Sequence, residues 1–186
     1  MKSKKWTLIL TSLTALTLMT ACGQSTTKSS TTAAADTTAI TTSAKNSQSS
    51  YFTEKDYDTS YDESTASKIE LSGSSASVSG DGVTVSGSTV TISKAGTYVI
   101  SGQSDGVQIK IAADKSDDVK LVLKGATMTN TDAAISATSA GHVYLTLAEG
   151  TTNSLSDSSS NSDEKANAAL FSKVDLTING SGTLNV

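Results

Sequence analysis

The chain has 186 residues, with 14 lysines and no arginine against 18 acidic groups, one histidine, one cysteine and no proline. Without the bidentate guanidinium fork, nucleic acid and phosphate are set aside as partners, and a single cysteine excludes an intrachain disulfide, a zinc–cysteine cluster or an internal redox pair. Aromatic residues make up only 4% of the chain, and the excess of Gly, Ser and Thr is far from the composition of an average globular enzyme.

At the start, Lys2, Lys4 and Lys5 precede an apolar run over residues 6–19, the order of a secretory signal peptide. The run is too short and too interrupted by Thr to span a membrane. Met19-Thr20-Ala21-Cys22 resembles the lipobox of bacterial lipoproteins, with Met19 where Leu is usual. The expectation is removal of residues 1–21 and attachment of lipid to Cys22, which holds the protein at the extracellular face of the cell membrane. Removal also takes away three lysines and moves the formal charge from −4 to −7.

Residues 22–68 read as a disordered tether. As far as Ser50 they are Ser, Thr and Ala with scattered charge, too poor in apolar groups to bury a core; a glycosylated stalk is the alternative to a plain solvated linker. Residues 51–68 bring Tyr51, Phe52, Tyr57 and Tyr61 among Glu54, Asp56, Asp58, Asp62 and Glu63. This acidic, aromatic stretch could bind calcium or a partner, but it reads as the last of the tether, docked weakly at most.

From Ile69 onward short alternating runs such as Val83-Thr84-Val85, Val90-Thr91-Ile92 and Tyr98-Val99-Ile100 are separated by Gly, Asn, Asp and Ser, which predicts an all-β domain over residues 69–186. Residues 119–125 (VKLVLKG), 143–150 (VYLTLAEG) and 174–180 (VDLTING) share one pattern, with starts 24 and 31 apart. The first spacing suits one coil of a β-solenoid, and a polar insert over residues 156–166 absorbs the excess in the second. Alternate apolar side chains would then be buried only by stacking coil on coil. The lack of proline agrees, because a strand paired on both sides needs every N–H. A β-sandwich is the rival arrangement. In the solenoid register, Lys120, Tyr144 and Asp175 form one outward ladder at about 4.8 Å per rung, and Val122, Thr146 and Thr177 the next.

Together with the lipobox and tether, the stretches GTYVISG (residues 96–102), VYLTLAEGTTNSLSD (143–157) and LTINGSGTLNV (176–186) resemble the secreted bacterial carbohydrate-binding β-helix family over residues 71–186. The resemblance implies a right-handed parallel β-helix similar to pectate lyases that binds acidic polysaccharide such as polygalacturonate and holds calcium. Because the chain closes on Thr183-Leu184-Asn185-Val186 without a polar cap, further coils are expected beyond it.

Calcium takes oxygen ligands and could bridge an acidic polymer to an acidic protein. The candidate ligands are Asp132, near Asn130 and Thr131, and the insert residues Asp157, Asn161, Asp163 and Glu164, each with a plainer reading as a turn or solvated loop. His142 has no partner defined by sequence and reads as a turn histidine. A pectate-type elimination needs a base, often arginine in such lyases. Lys110, Lys120 or Lys173 would have to serve here. For sugar stacking the coils offer Tyr98, Tyr144 and Phe171, with Tyr144 facing outward and Phe171 in the core. The resulting expectation is a lipid-anchored, non-enzymatic carbohydrate-binding protein, with Lys120, Tyr144 and Asp175 as candidate ligand contacts. A polysaccharide lyase and an adhesive or structural surface protein are the alternatives.

Overall fold

The computed structural model describes residues 51–158 and 166–186. Residues 1–50, which carry the expected signal peptide, Cys22 and most of the tether, lie outside the described residues, as do Asn161, Asp163 and Glu164.

After a single-turn helix α1 (Glu54–Tyr57), the chain is all strand and turn: β1 (Ser67–Gly73), β2 (Ser75–Ser79), β3 (Val83–Ser86), β4 (Thr89–Ile92), β5 (Gly96–Asp105), β6 (Gln108–Ala112), β7 (Asp118–Thr129), β8 (Ile135–Ser139), β9 (His142–Leu147), β10 (Thr152–Ser156), β11 (Leu170–Ser172), β12 (Asp175–Gly180) and β13 (Thr183–Asn185). One coil is β5 with β6, the next β7 with β8, and the third β9, β10 and β11; β12 and β13 begin a fourth. Every pairing between successive coils is parallel. The fold is therefore the expected parallel β-helix and not a sandwich of hairpins. Among the described residues antiparallel pairing is confined to β1–β2 and β3–β4, two hairpins at the start of the described column.

The coils present three faces. The front face runs β1, the first half of β5, the first half of β7, β9 and β12. Both β5 and β7 bend onto a second face, where β7 pairs with β10 and β10 with β13. The third face is β3-β4-β6-β8-β11. Alternation sends every second side chain inward, so Leu121 stacks on Leu145 and Ile109 on Ile135, all fully buried. Ile178, on the last described rung, continues the Leu121–Leu145 column and is half exposed.

The expected register holds between the second and third coils, where Val119 pairs with Val143 and Lys120 with Tyr144. It slips by two residues at the next rung. Val143 pairs with Leu176 rather than Val174, Tyr144 with Thr177, and Asp175 with His142. The ladders are therefore Lys120–Tyr144–Thr177 and Val122–Thr146–Asn179, and Asp175 leaves the first for a column with Asp118 and His142. A slip of two keeps every side chain on its own face, so alternation alone could not detect it. The corner decides it. Gly180 pairs with Leu147 at φ +97°, where any Cβ would collide with the Leu147 carbonyl oxygen, so only this glycine can occupy that position.

Two aromatic assignments also change. Tyr98 points inward, fully buried, with its hydroxyl donating to the Lys94 carbonyl at 2.9 Å. Phe171 is not in the core: it pairs with Ser136 on the outward side of the third face and is half-buried, with the Lys173 ammonium 5.7 Å from its ring centre.

Candidate functional site

Residues 51–66, expected as the tail of a tether, are instead a strap docked on the front face. Their composition explains why they stay put. Asp58 and Asp62 each fold the chain back on the serine two residues later: Asp58 accepts from the Ser60 N–H and hydroxyl, and Asp62 does the same with Ser64. These are the local turns that Asp favours over helix. α1 begins at Thr53, whose N–H and hydroxyl both donate to the Asp56 carboxylate, at 2.7 and 2.8 Å.

Long-range contacts attach these turns to the sheet. Lys120 Nζ donates to the Asp58 carboxylate at 3.2 Å and to the carbonyls of Asp58 and Ser60 at 3.1 and 2.8 Å. Lys124 pairs with Glu63 at 2.6 Å, and Lys55 with Asp118 at 2.9 Å. The Asn179 side-chain amide donates to the carbonyls of Asp56 and Asp58 while its oxygen accepts from Thr146. Under these polar contacts Tyr61 and Ala66 of the strap pack on Val99, Val122 and Ala148. Val122 faces outward yet has no exposed surface.

At one edge of the strap a polar relay forms. The Thr177 hydroxyl donates to Asp56 Oδ1, so its oxygen must accept from His142 Nε2, 2.9 Å away; in the neutral ring this places the proton on Nε2. Asp56 is held at about 2, first by the Thr177 hydroxyl and then by the Thr53 donors. Asp58 is likewise held at about 2, by the Ser60 hydroxyl and N–H and then by Lys120. The Tyr144 ring stacks on His142, with centroids 4.2 Å apart and planes 14° apart, and burial pushes its phenol up. Beside this relay lies an open cleft of about 880 Å³, bounded by Tyr51, Phe52, His142, Tyr144 and Asp175 among others. Tyr51 and Phe52 are 86% and 56% exposed.

Of the expected ligand contacts, Lys120 and Tyr144 share a ladder on this face and Asp175 borders the cleft. Lys120 is engaged by the strap, and Tyr144 is only 7% exposed. The candidate bases do not converge. Lys110 and Lys173 belong to the third face and Lys120 to the front. Asp132 follows the corner after β7, with its N–H donating to Asn130 Oδ1, and Asp157 follows Ser156, whose carbonyl accepts from the Asn130 N–H. Their oxygens are hard donors of the kind calcium takes, but two carboxylates fall short of its usual six to eight ligands. Among the described residues no three of His, Cys, Asp and Glu are grouped to hold a metal. Three contributors escaped sequence reasoning: Asp56, Thr177 and Asn179. The acidic, aromatic composition of residues 51–66 was the one available signal.

A family model described as carbohydrate-binding domain-containing protein matches residues 86–186, more than half of the chain. The chain belongs to this family of carbohydrate-binding domain-containing proteins. A curated member from Acetivibrio thermocellus is 38% identical over 100 residues, covering 50% of this chain and 35% of that protein. A solved structure, the gadolinium derivative of a polysaccharide lyase-like protein from C. thermocellum, is similar at a TM-score of 0.59 and 36% identity, covering 64% of this chain and 51% of that one. The chain thus matches about a third of the curated relative and half of the solved structure. Within the carbohydrate-binding domain, the matched residues take in β4 to β13, which supply nearly all of the front face; the strap lies outside the match.

Proposed function

We propose that this chain binds polysaccharide on the front face of its β-helix, at and beside the cleft of Tyr51, Phe52, His142, Tyr144 and Asp175, and that it does so without catalysis. The observation carrying this reading is that the family match coincides with a flat surface repeating polar groups at one rung per coil. Lys120, Tyr144 and Thr177 stand in one column and Thr146 and Asn179 in the next. A polymer with repeating hydroxyls can meet such a ladder at several rungs, and the exposed rings of Tyr51 and Phe52 offer apolar surfaces for the C–H faces of sugars.

The polymer we propose is acidic, and calcium is the ion we propose to bridge it to this acidic chain. We further propose anchoring through lipid on Cys22 at the outer face of the membrane, which would present this surface away from the cell. Calorimetric titration with oligogalacturonates, repeated with neutral oligosaccharides and after chelation, tests the reading. Binding of the acidic series that weakens after chelation is expected; no heat with any sugar overturns it. Mass spectrometry of the exported protein, expected to show lipid on Cys22, tests the anchor.

The name of the solved neighbour favours a second reading, elimination on a uronate. Its candidate bases are split between two faces, with Lys120 already engaged by the strap, which weighs against it. An unsaturated product absorbing in the ultraviolet would establish it.

A further inference from the structure

Residues 51–66 contain five carboxylates and one lysine, a formal charge of −4, and three of those carboxylates are spent on the front face. Glu63 meets Lys124, Asp58 meets Lys120, and Asp56 meets Thr177 with His142 Nε2 3.8 Å away. Lys120 and Lys124 are four residues apart on β7, ~13 Å along the strand, and Thr177 lies two rungs from Lys120, ~10 Å across the sheet. Between these points Tyr61 and Ala66 rest on the apolar patch of Val99 and Val122. Carboxylates at intervals, with apolar surface between them, are also what a linear chain of acidic sugars presents.

The attachment is of a releasable kind. Backbone-to-backbone bonds of the strap are local, joining Thr53 to Asp56, Lys55 to Asp58, and Asp62 to Thr65 and Ala66, while the bonds that tie it to the coils run through side chains. A segment held in this way opens at lower free energy than a strand in the ladder. The face beneath belongs to the matched domain, whereas the strap precedes it.

We propose that the strap is a built-in occupant of a polyuronate site: its residues 56–66 fill in cis the face to which a linear polycarboxylate glycan binds, and the polymer binds by displacing them while Tyr51 and Phe52 stay at the rim of the cleft. This rests on the reading of the front face as the sugar-binding surface. Displacement frees Lys120 and Lys124 for carboxylates and uncovers Val99, Val122 and Tyr144 for the sugar rings. The coils' own acids near the strap lie around its margin: Asp118 and Asp175 in the edge column with His142, Glu70 on β1 with Lys68 close by, and Glu149 at the corner after β9. An acidic polymer can then approach the face more easily, because the strap's formal charge of −4 leaves it.

Hydrogen exchange on the full chain tests this without any variant, with chelator present so that bridging ions do not contribute. On addition of oligogalacturonate, amides of residues 56–66 are expected to exchange at least about tenfold faster, a shift of some 1.4 kcal/mol, while those of β7 and β9 keep their protection. The variant Asp58→Asn/Glu63→Gln is expected to bind the oligomer about tenfold more tightly, and adding Lys120→Ala to reverse the gain. If the oligomer binds while the strap keeps its protection and the variant matches the parent, strap displacement is overturned and sugar binding stands. If a neutral glucan oligomer releases the strap equally well, the charge mimicry is overturned. If neither sugar binds parent or variant, with chelator or with calcium supplied, the front-face reading falls and this proposal with it.

Discussion

Lys120 reaches Asp58 across 62 residues of sequence, and its ammonium is shared between the Asp58 carboxylate and the carbonyls of Asp58 and Ser60. One side chain thus gathers a carboxylate and two carbonyls of the turn, sharing the Asp58 carbonyl with the Asn179 amide. In Lys120→Met the aliphatic stem remains but all three bonds go. Amides of residues 51–66 are expected to exchange faster while the melting temperature of the coils moves little, because the coils do not depend on the strap for pairing. Hydrogen exchange combined with a thermal melt checks both halves of the statement.

The strap is also expected to loosen in acid. Asp56 and Asp58 are held at about 2, below the ordinary 3.8. A carboxyl lowered on folding adds stability that is complete above its unfolded value and is lost as pH falls through its folded one. Protection of residues 51–66 should therefore be flat from neutrality to about pH 5 and decline between about pH 4 and 2, read by amide exchange or limited proteolysis. Lys124 is raised above the ordinary 10.5 by its bond to Glu63, so its contribution is complete below that value and is lost as pH rises through its folded one.

Asn153 sits at the corner between the front and second faces without any exposed surface. Its oxygen accepts from the N–H groups of Gly125 and Ala126, both at 2.9 Å, and its amide donates to the Thr151 hydroxyl and the Thr183 carbonyl. Alanine there leaves the buried Ala126 N–H without a partner, releases the more exposed Gly125 N–H, and removes the Thr183 carbonyl's contact. Asn153→Ala is expected to cost on the order of 2–4 kcal/mol, measured by denaturant unfolding.

Gly102 and Gly125 both close a turn at positive φ, +89° and +73°, yet their surroundings differ. A Cβ on Gly125 meets open space, whereas on Gly102 it would strike the Leu71 carbonyl in the neighbouring strand. Gly125→Ala should cost about 1–2 kcal/mol, the strain of a left-handed residue. Gly102→Ala should cost more, because two paired strands must part. Equilibrium unfolding of the two variants orders them.

Tyr51 and Phe52 stand on the cleft's outer rim and are largely exposed. If sugar rings stack there, Tyr51→Ala and Phe52→Ala should each weaken glycan binding by roughly three- to tenfold and leave the melting temperature unchanged. Calorimetry beside a thermal melt distinguishes that from unfolding.

Much of the architecture could be read from residue order. Alternation of Val, Leu and Ile over residues 119–123 and 143–147 sets which side chains face inward, and the 24-residue spacing stacks one coil on the next; both are local or periodic properties of the chain. The ladder of Lys120 and Tyr144 followed from them. The place of Asp175 did not, because a slip of two residues preserves alternation and only the collision at Gly180 rules it out.

The lesson of residues 51–66 is similar. Polar and acidic, they carry no periodic pattern, and taken alone they read as solvated chain. Their order comes from Lys120, Lys124, Val122, Thr177 and Asn179, distant groups that the coils bring onto one face, with hydrogen bonds that span 60 to 123 residues. The sequence by itself determined the β-helix, since stacking is a matter of period. Tertiary structure decided what covers its front face, because a strap held by side chains exists only once the surface that receives it has been assembled.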